Sequence, residues 1–120
     1  MANIPIKSHF VIHKHTKGNE THWDLMIESG DVLKTWRLEN PPEKLVSEAN
    51  EKTKATPIAD HDKKFLTYQG IVNNGKGTVE IVDEGTCIIE SISENDMKII
   101  FDGKIVRGQF IQANSCLQRY

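Results

Sequence analysis

Residues 9–28 read His9-Phe10-Val11-Ile12-His13-Lys14-His15-Thr16-Lys17-Gly18-Asn19-Glu20-Thr21-His22-Trp23-Asp24-Leu25-Met26-Ile27-Glu28. The first part alternates, with Phe10, Ile12 and Lys14 on one side and Val11, His13 and His15 on the other. That two-residue period predicts a strand over residues 9–15. Residues 21–28 alternate again: Trp23, Leu25 and Ile27 form an apolar face, and His22, Asp24, Met26 and Glu28 form the opposite one. The six residues from Thr16 to Thr21 read as a turn. A hairpin here would lay the pair His13/His15 beside the pair His22/Asp24, because an i, i+2 spacing keeps both members on one strand face.

Working outward, Ser29-Gly30-Asp31 is a second turn and residues 32–38 a third strand, completing a meander. Asn40-Pro41-Pro42 stops that strand, since proline lacks a ladder donor. Residues 43–54 are helix-compatible, but Leu45, Val46 and Ala49 make only a thin apolar face, so the helix is expected to be short and peripheral. Residues 55–68 read as a polar loop carrying His61. Strands are expected at 78–83, 86–91, 97–101, 104–112 and 116–120. They are separated by Glu84-Gly85, Glu94-Asn95, Asp102-Gly103 and Ala113-Asn114, with Asp102-Gly103 the clearest hairpin signal. Short strands at this spacing predict a mainly β protein, an antiparallel β-barrel with one short peripheral helix.

A chain of 120 residues fits a single domain, 1–120. Fifteen Lys and Arg stand against 17 Asp and Glu, a net charge of −2. This balance argues against a protein that coats duplex nucleic acid, which needs many phosphate neutralisations. It leaves room for a site that grips one phosphate or one strand end with a few local cations. No apolar run is long enough to span a membrane, and residues 1–12 lack the apolar core of a signal peptide, so the cytoplasm is the expected compartment. Cys87 and Cys116 form no C-x-x-C pair and are expected to be free thiols.

Imidazole nitrogen with carboxylate oxygen suits a borderline divalent cation. His15, His22 and Asp24 are the candidate metal ligands, and His13 is a reserve ligand on the face of His15. From spacing alone, a solvated polar strand face or a hydrogen-bonded His–Asp pair is the competing interpretation. His61 lies in Asp60-His61-Asp62, where flanking carboxylates would favour an imidazolium able to hold a phosphate oxygen or protonate a leaving group. Lys34 is either a phosphate partner or a solubilising charge. Trp36 is read as core rather than as a stacking platform. Gly75-Lys76-Gly77-Thr78 offers backbone donors and a cation for phosphate, although the spacing of a phosphate-binding loop is missing. His13 and Lys76 are accordingly phosphate-contacting candidates.

Several segments, in order, resemble the 3′-phosphoesterase domain of DNA ligase D. They are Phe10-Val11-Ile12-His13-Lys14-His15; His22-Trp23-Asp24-Leu25-Met26-Ile27-Glu28; Leu33-Lys34-Thr35-Trp36; Asp60-His61; Tyr68-Gln69-Gly70; Asp83-Glu84-Gly85-Thr86; and the hairpin from Phe101 to Phe110. The resemblance runs from about residue 9 to 112. Trp23-Asp24-Leu25-Met26 is similar to a short stand-alone subgroup of that family. The resemblance implies a β-barrel that binds a divalent metal, usually manganese (zinc is the alternative). It also implies removal of a 3′-terminal ribonucleoside and then the 3′-phosphate during end repair. Carried over by position, it implies metal ligation by His15, His22 and Asp24, contact with the scissile phosphate by His61, and a lysine near the site at Lys34. The implied partners are DNA or RNA 3′ ends, with a DNA ligase or polymerase as a further one; no membrane is implied, and the chain is expected to be a monomer. Two positions depart from the family pattern: Met26 stands where an arginine is usual, and Phe65 where a tyrosine is. They motivate the alternative of a weakened or inactive metal-dependent strand-end binding module, or a ligase- or polymerase-docking domain.

Overall fold

A computed structural model of the chain describes residues 4–45, 52–93 and 96–120. Its strands are β1 (Ile6–Lys17), β2 (Glu20–Ser29), β3 (Val32–Leu38), β4 (Lys52–Asp62), β5 (Gly70–Val72), β6 (Gly77–Ser91), β7 (Met97–Gly103), β8 (Arg107–Ala113) and β9 (Cys116–Arg119). All pairings are antiparallel, in the order β1-β2-β3-β4-β9-β8-β7-β6, and β6 pairs back onto β1. Eight strands thus close a barrel, and closure removes the free edges that an open sheet would present. The short β5 adds to the part of β6 that β7 does not reach.

Why β1 and β2 carry unbroken apolar runs is explained by two separate cores. Phe10, Ile12, Leu25, Ile27, Trp36 and Leu38 point inward and meet Cys87, Ile99, Phe101, Phe110 and Leu117 in the main core. Their neighbours Val11, Met26 and Leu33 point outward into a second cluster with Phe65, Leu66 and Ile81. The 3₁₀ turn Lys63–Leu66 forms its roof. Lys63 ties that turn to β2 through Glu28, Nζ to Oε2 at 3.1 Å, and donates to the Gly30 carbonyl at 3.2 Å. Full burial of each outward apolar side chain contributes about 1.5–3 kcal/mol, so the outer cluster is a structural element in its own right.

Five sequence expectations are corrected here. Residues 16–21 are not a six-residue turn: β1 and β2 run on until Lys17 pairs with Glu20, leaving only Gly18-Asn19 at the bend. In the region expected to be helical, the described residues show a 3₁₀ turn, Pro42–Leu45, and then strand from Lys52; residues 46–51 lie outside the description. The polar stretch 55–68 is mostly β4, because pairing with β3 engages its backbone without an apolar pattern. Finally, Glu84-Gly85 does not break a strand, and Asp102-Gly103 is not the hairpin tip.

The last two errors share a cause. Gly85 and Gly103 are register partners inside continuous β6 and β7. A Cβ on Gly85 would collide with the Asp102 carbonyl, and one on Gly103 would lie 2.6 Å from the Phe10 ring. These glycines permit close strand approach rather than a turn. The chain reverses over residues 104–106, where the buried Asp83 carboxylate accepts from the backbone N–H groups of Lys104 (2.8 Å), Ile105 (3.0 Å) and Val106 (2.8 Å). Replacing Asp83 with alanine orphans those donors. Asp83→Ala is expected to lower unfolding free energy in urea by about 3 kcal/mol or more; a loss below about 1 kcal/mol would show that the loop does not depend on this carboxylate.

Candidate metal and phosphate site

The β1–β2 register sets His15 opposite His22 and His13 opposite Asp24. All four lie on the outward face, continuing the line of Val11 and Met26, so the apolar outer cluster grades into a polar site along the same two strands. The next strand adds Arg37, opposite Asp24.

His15 Nδ1 lies 3.0 Å from His22 Nε2, and His22 Nε2 lies 3.4 Å from Asp24 Oδ2. One donor atom from each of the three residues falls within 4.8 Å of the others. Ligand atoms bound at about 2.0–2.2 Å to a common cation stand about 3.0–3.5 Å apart, so this set needs little movement to bind one. Asp24 is buried, and its Oδ1 has no hydrogen-bond partner among the described residues. A buried carboxylate oxygen left unpaired is costly, and the two imidazoles and this carboxylate are donors that suit manganese or zinc. The residues fit the cation that the resemblance implies.

His15 is seated by Gly77 of β6. A Cβ there would lie 2.9 Å from His15 Nε2, so only glycine leaves room for the ring. Burial, reinforced by the charge of His22, pushes the His15 pKa below its ordinary value. His13 is only 2% exposed, with an unpartnered Nε2. Burial pushes its pKa down to about 4, against a smaller opposing pull from Asp24. Both rings are thereby kept neutral, the form that coordinates metal.

Phe65 stands between His13 and His61, with centroid distances of 6.3 Å and 6.0 Å. His61 Nδ1–H donates to the Ala59 carbonyl at 3.1 Å, which leaves Nε2 free. Asp62 does not act as a partner for His61; its Oδ1 accepts from the Lys64 N–H and caps the 3₁₀ turn. Lys76 is exposed and directly precedes Gly77, at the edge of the site.

A model of the DNA ligase D 3′-phosphoesterase domain matches residues 13–113. The chain belongs to this family. No curated protein matches the chain at a significant level.

Against the family pattern, Met26 is fully buried between Val11 and Leu33, so the position usual for arginine is here part of an apolar floor. Lys34 is the one site candidate that the fold separates from the others. It is cross-strand from the inward-facing Ile27 and lines a cavity with Trp36, Ile89 and Met97 at the barrel mouth. Strand alternation accounts for this, because Lys34 has the parity of the core residue Trp36. Arg37 was not singled out from the sequence, and Gly77 entered only as part of the Gly75-Lys76-Gly77-Thr78 phosphate-contacting turn, not as the seat of His15. The two-residue turn Gly30-Asp31 could have revealed Arg37, since it pairs Ser29 with Val32 and counts back to Asp24 opposite Arg37. The packing of Gly77 against His15 had no local signal, as the two are 62 positions apart in sequence.

Two outcomes follow from this packing. Gly77→Ala should displace the His15 ring and weaken divalent-cation affinity at least tenfold, about 1.4 kcal/mol or more, in calorimetric titration; unchanged affinity would show that His15 is not held there. His13 binds protons more readily unfolded than folded, so stability is full above about pH 6.5 and falls as pH drops towards 4. The loss amounts to about 3 kcal/mol at most. His13→Gln should flatten that part of a urea-denaturation profile against pH, and an unaltered slope would contradict the burial argument.

Proposed function

We propose that the chain is a metal-dependent 3′-phosphoesterase acting on DNA or RNA 3′ ends in end repair, removing a 3′-terminal ribonucleoside and the 3′-phosphate. The observation that carries this reading is the cluster of His15, His22 and Asp24, whose donor atoms lie within 4.8 Å of one another beside an unpartnered buried carboxylate oxygen. Family membership supports the reaction class. Manganese is the proposed cation, with zinc as the alternative.

A bound divalent cation would supply Lewis-acid polarisation of a phosphoryl oxygen and a more acidic water. The protein's own residues provide the rest. His15, His22 and Asp24 would hold the cation. His61, with Nδ1–H committed to Ala59, presents Nε2 as the atom that carries a proton to the leaving oxygen. Phe65 holds the His61 ring edge-to-face but has no hydroxyl to offer phosphate. The apolar patch of Val11, Met26 and Leu33 keeps water from one side of the site. Free thiols at Cys87 and Cys116 fit a reducing compartment, and we place the activity in the cytoplasm.

Met26 and Phe65 favour one second reading, a strand-end binding module with little or no turnover, acting alone or docked on a ligase or polymerase. The two readings separate on a primer carrying a 3′-phosphate or 3′-ribonucleotide, incubated with manganese. The enzyme releases phosphate or nucleoside; the binding module shows metal-dependent affinity and no product. His22→Ala should abolish manganese binding and turnover together. His61→Ala should retain manganese binding and lose about 10²–10⁴-fold in rate. Full manganese affinity in His22→Ala would refute the ligand assignment.

A further inference from the structure

Beside His22, on the side away from the apolar floor, is a cavity of about 270 Å³ lined by His22, Arg37, Glu39, Lys54 and Thr56. Strand register builds it: Arg37 pairs with Asp24 on one side and Thr56 on the other, and Lys54 follows on the same face of β4. We propose that this cavity is a phosphate subsite of the strand end, with Arg37 as its principal donor. The proposal rests on the phosphoesterase reading for its biological ligand, but its chemistry stands on the geometry alone.

The state of Arg37 carries the argument. Its guanidinium has five N–H donors. Its polar contact among the described residues is Asp24, where Nε stands 3.7 Å from Oδ1, too long for a hydrogen bond. The side chain is 49% exposed, so the remaining donors reach the cavity without displacing packed atoms. An arginine that merely neutralised Asp24 would close to hydrogen-bond distance. The unengaged donors of Arg37 form a planar fork matched to two oxygens of one phosphate.

Charge and size point to the same ligand. Lys54 adds a second cation and Thr56 a hydroxyl donor; Glu39 is the single acid in the lining. The cavity is below the usual range for whole small molecules, about 300–1,000 Å³, and its cationic and hydroxyl lining suits a phosphate group. His22 is shared by the lining and the ligand cluster, so a phosphate held there is adjacent to the proposed metal position. Met26 supplies no charge from β2, whereas Arg37 supplies it from β3, one strand further along the same face.

The test is an NMR titration with inorganic phosphate in EDTA, following the Arg37 Nε–H resonance, with chloride matched for ionic strength. The wild-type protein should show a saturable shift. Arg37→Gln should weaken phosphate binding about tenfold or more, Arg37→Lys should fall between, and Lys98→Gln on the far wall should match wild type. Manganese affinity should not fall in Arg37→Gln, since the change removes a positive charge beside Asp24, and retained binding also certifies its fold. Phosphate binding in Arg37→Gln equal to wild type, or shifts that map elsewhere on the barrel, would overturn the subsite and leave the phosphoesterase reading intact. Failure of the wild type to bind manganese, with Arg37-dependent phosphate binding preserved, would sink the enzyme reading and uphold the subsite. Oligodeoxynucleotides ending in 3′-phosphate and in 3′-hydroxyl identify the source. Arg37-dependent binding of only the former assigns the terminal phosphate, and of both an internal one; no dependence in either overturns the proposal for strand ends.

Discussion

Everything at the site depends on the register of one hairpin. With only Gly18-Asn19 at its tip, β1 and β2 align so that His15 faces His22 and His13 faces Asp24. A slip of one residue would send each side chain on the shifted strand to the other face of the barrel wall. Three features hold the register. Phe10, Ile12, Leu25 and Ile27 fill the barrel interior, Val11 and Met26 fill the outer cluster, and β6 pairs along β1 on its other side. The polar residues therefore do not assemble themselves; apolar burial on both faces of the same strands places them.

That arrangement explains how a buried carboxylate is tolerated. Asp24 sits at the boundary between the outer apolar cluster and the exposed rim, with two imidazoles on one side and a guanidinium on the other. These groups surround it without any close hydrogen bond at Oδ1 among the described residues. Such a half-satisfied group is a common mark of a functional position, because full satisfaction by the protein would leave nothing for a ligand. The second buried carboxylate, Asp83, makes the contrast. It is saturated by backbone donors from the 104–106 loop and is structural.

The three-strand meander of residues 9–38 was legible, apart from the extent of its first turn, because alternation and turn residues agree there. The meander followed from residues 9–38, and the proximity of His15, His22 and Asp24 followed from the hairpin. Where local signals conflicted with long-range pairing, the sequence misled. Residues 52–62 are polar and lack a strand pattern, yet they close the barrel between β3 and β9. Gly85 and Gly103 look like turn residues but serve close strand approach, a requirement set by partners distant in sequence. Lys34 was favoured by motif position although its parity placed it with the core. Arg37 was overlooked although strand counting from Gly30-Asp31 would have placed it beside Asp24.

The most direct test of the central claim is a crystal soaked in manganese and measured for anomalous scattering. The account predicts a single strong peak about 2.0–2.3 Å from a nitrogen of His15, a nitrogen of His22 and an oxygen of Asp24. A manganese peak elsewhere on the barrel, or none at a concentration that saturates the protein in solution, would contradict it.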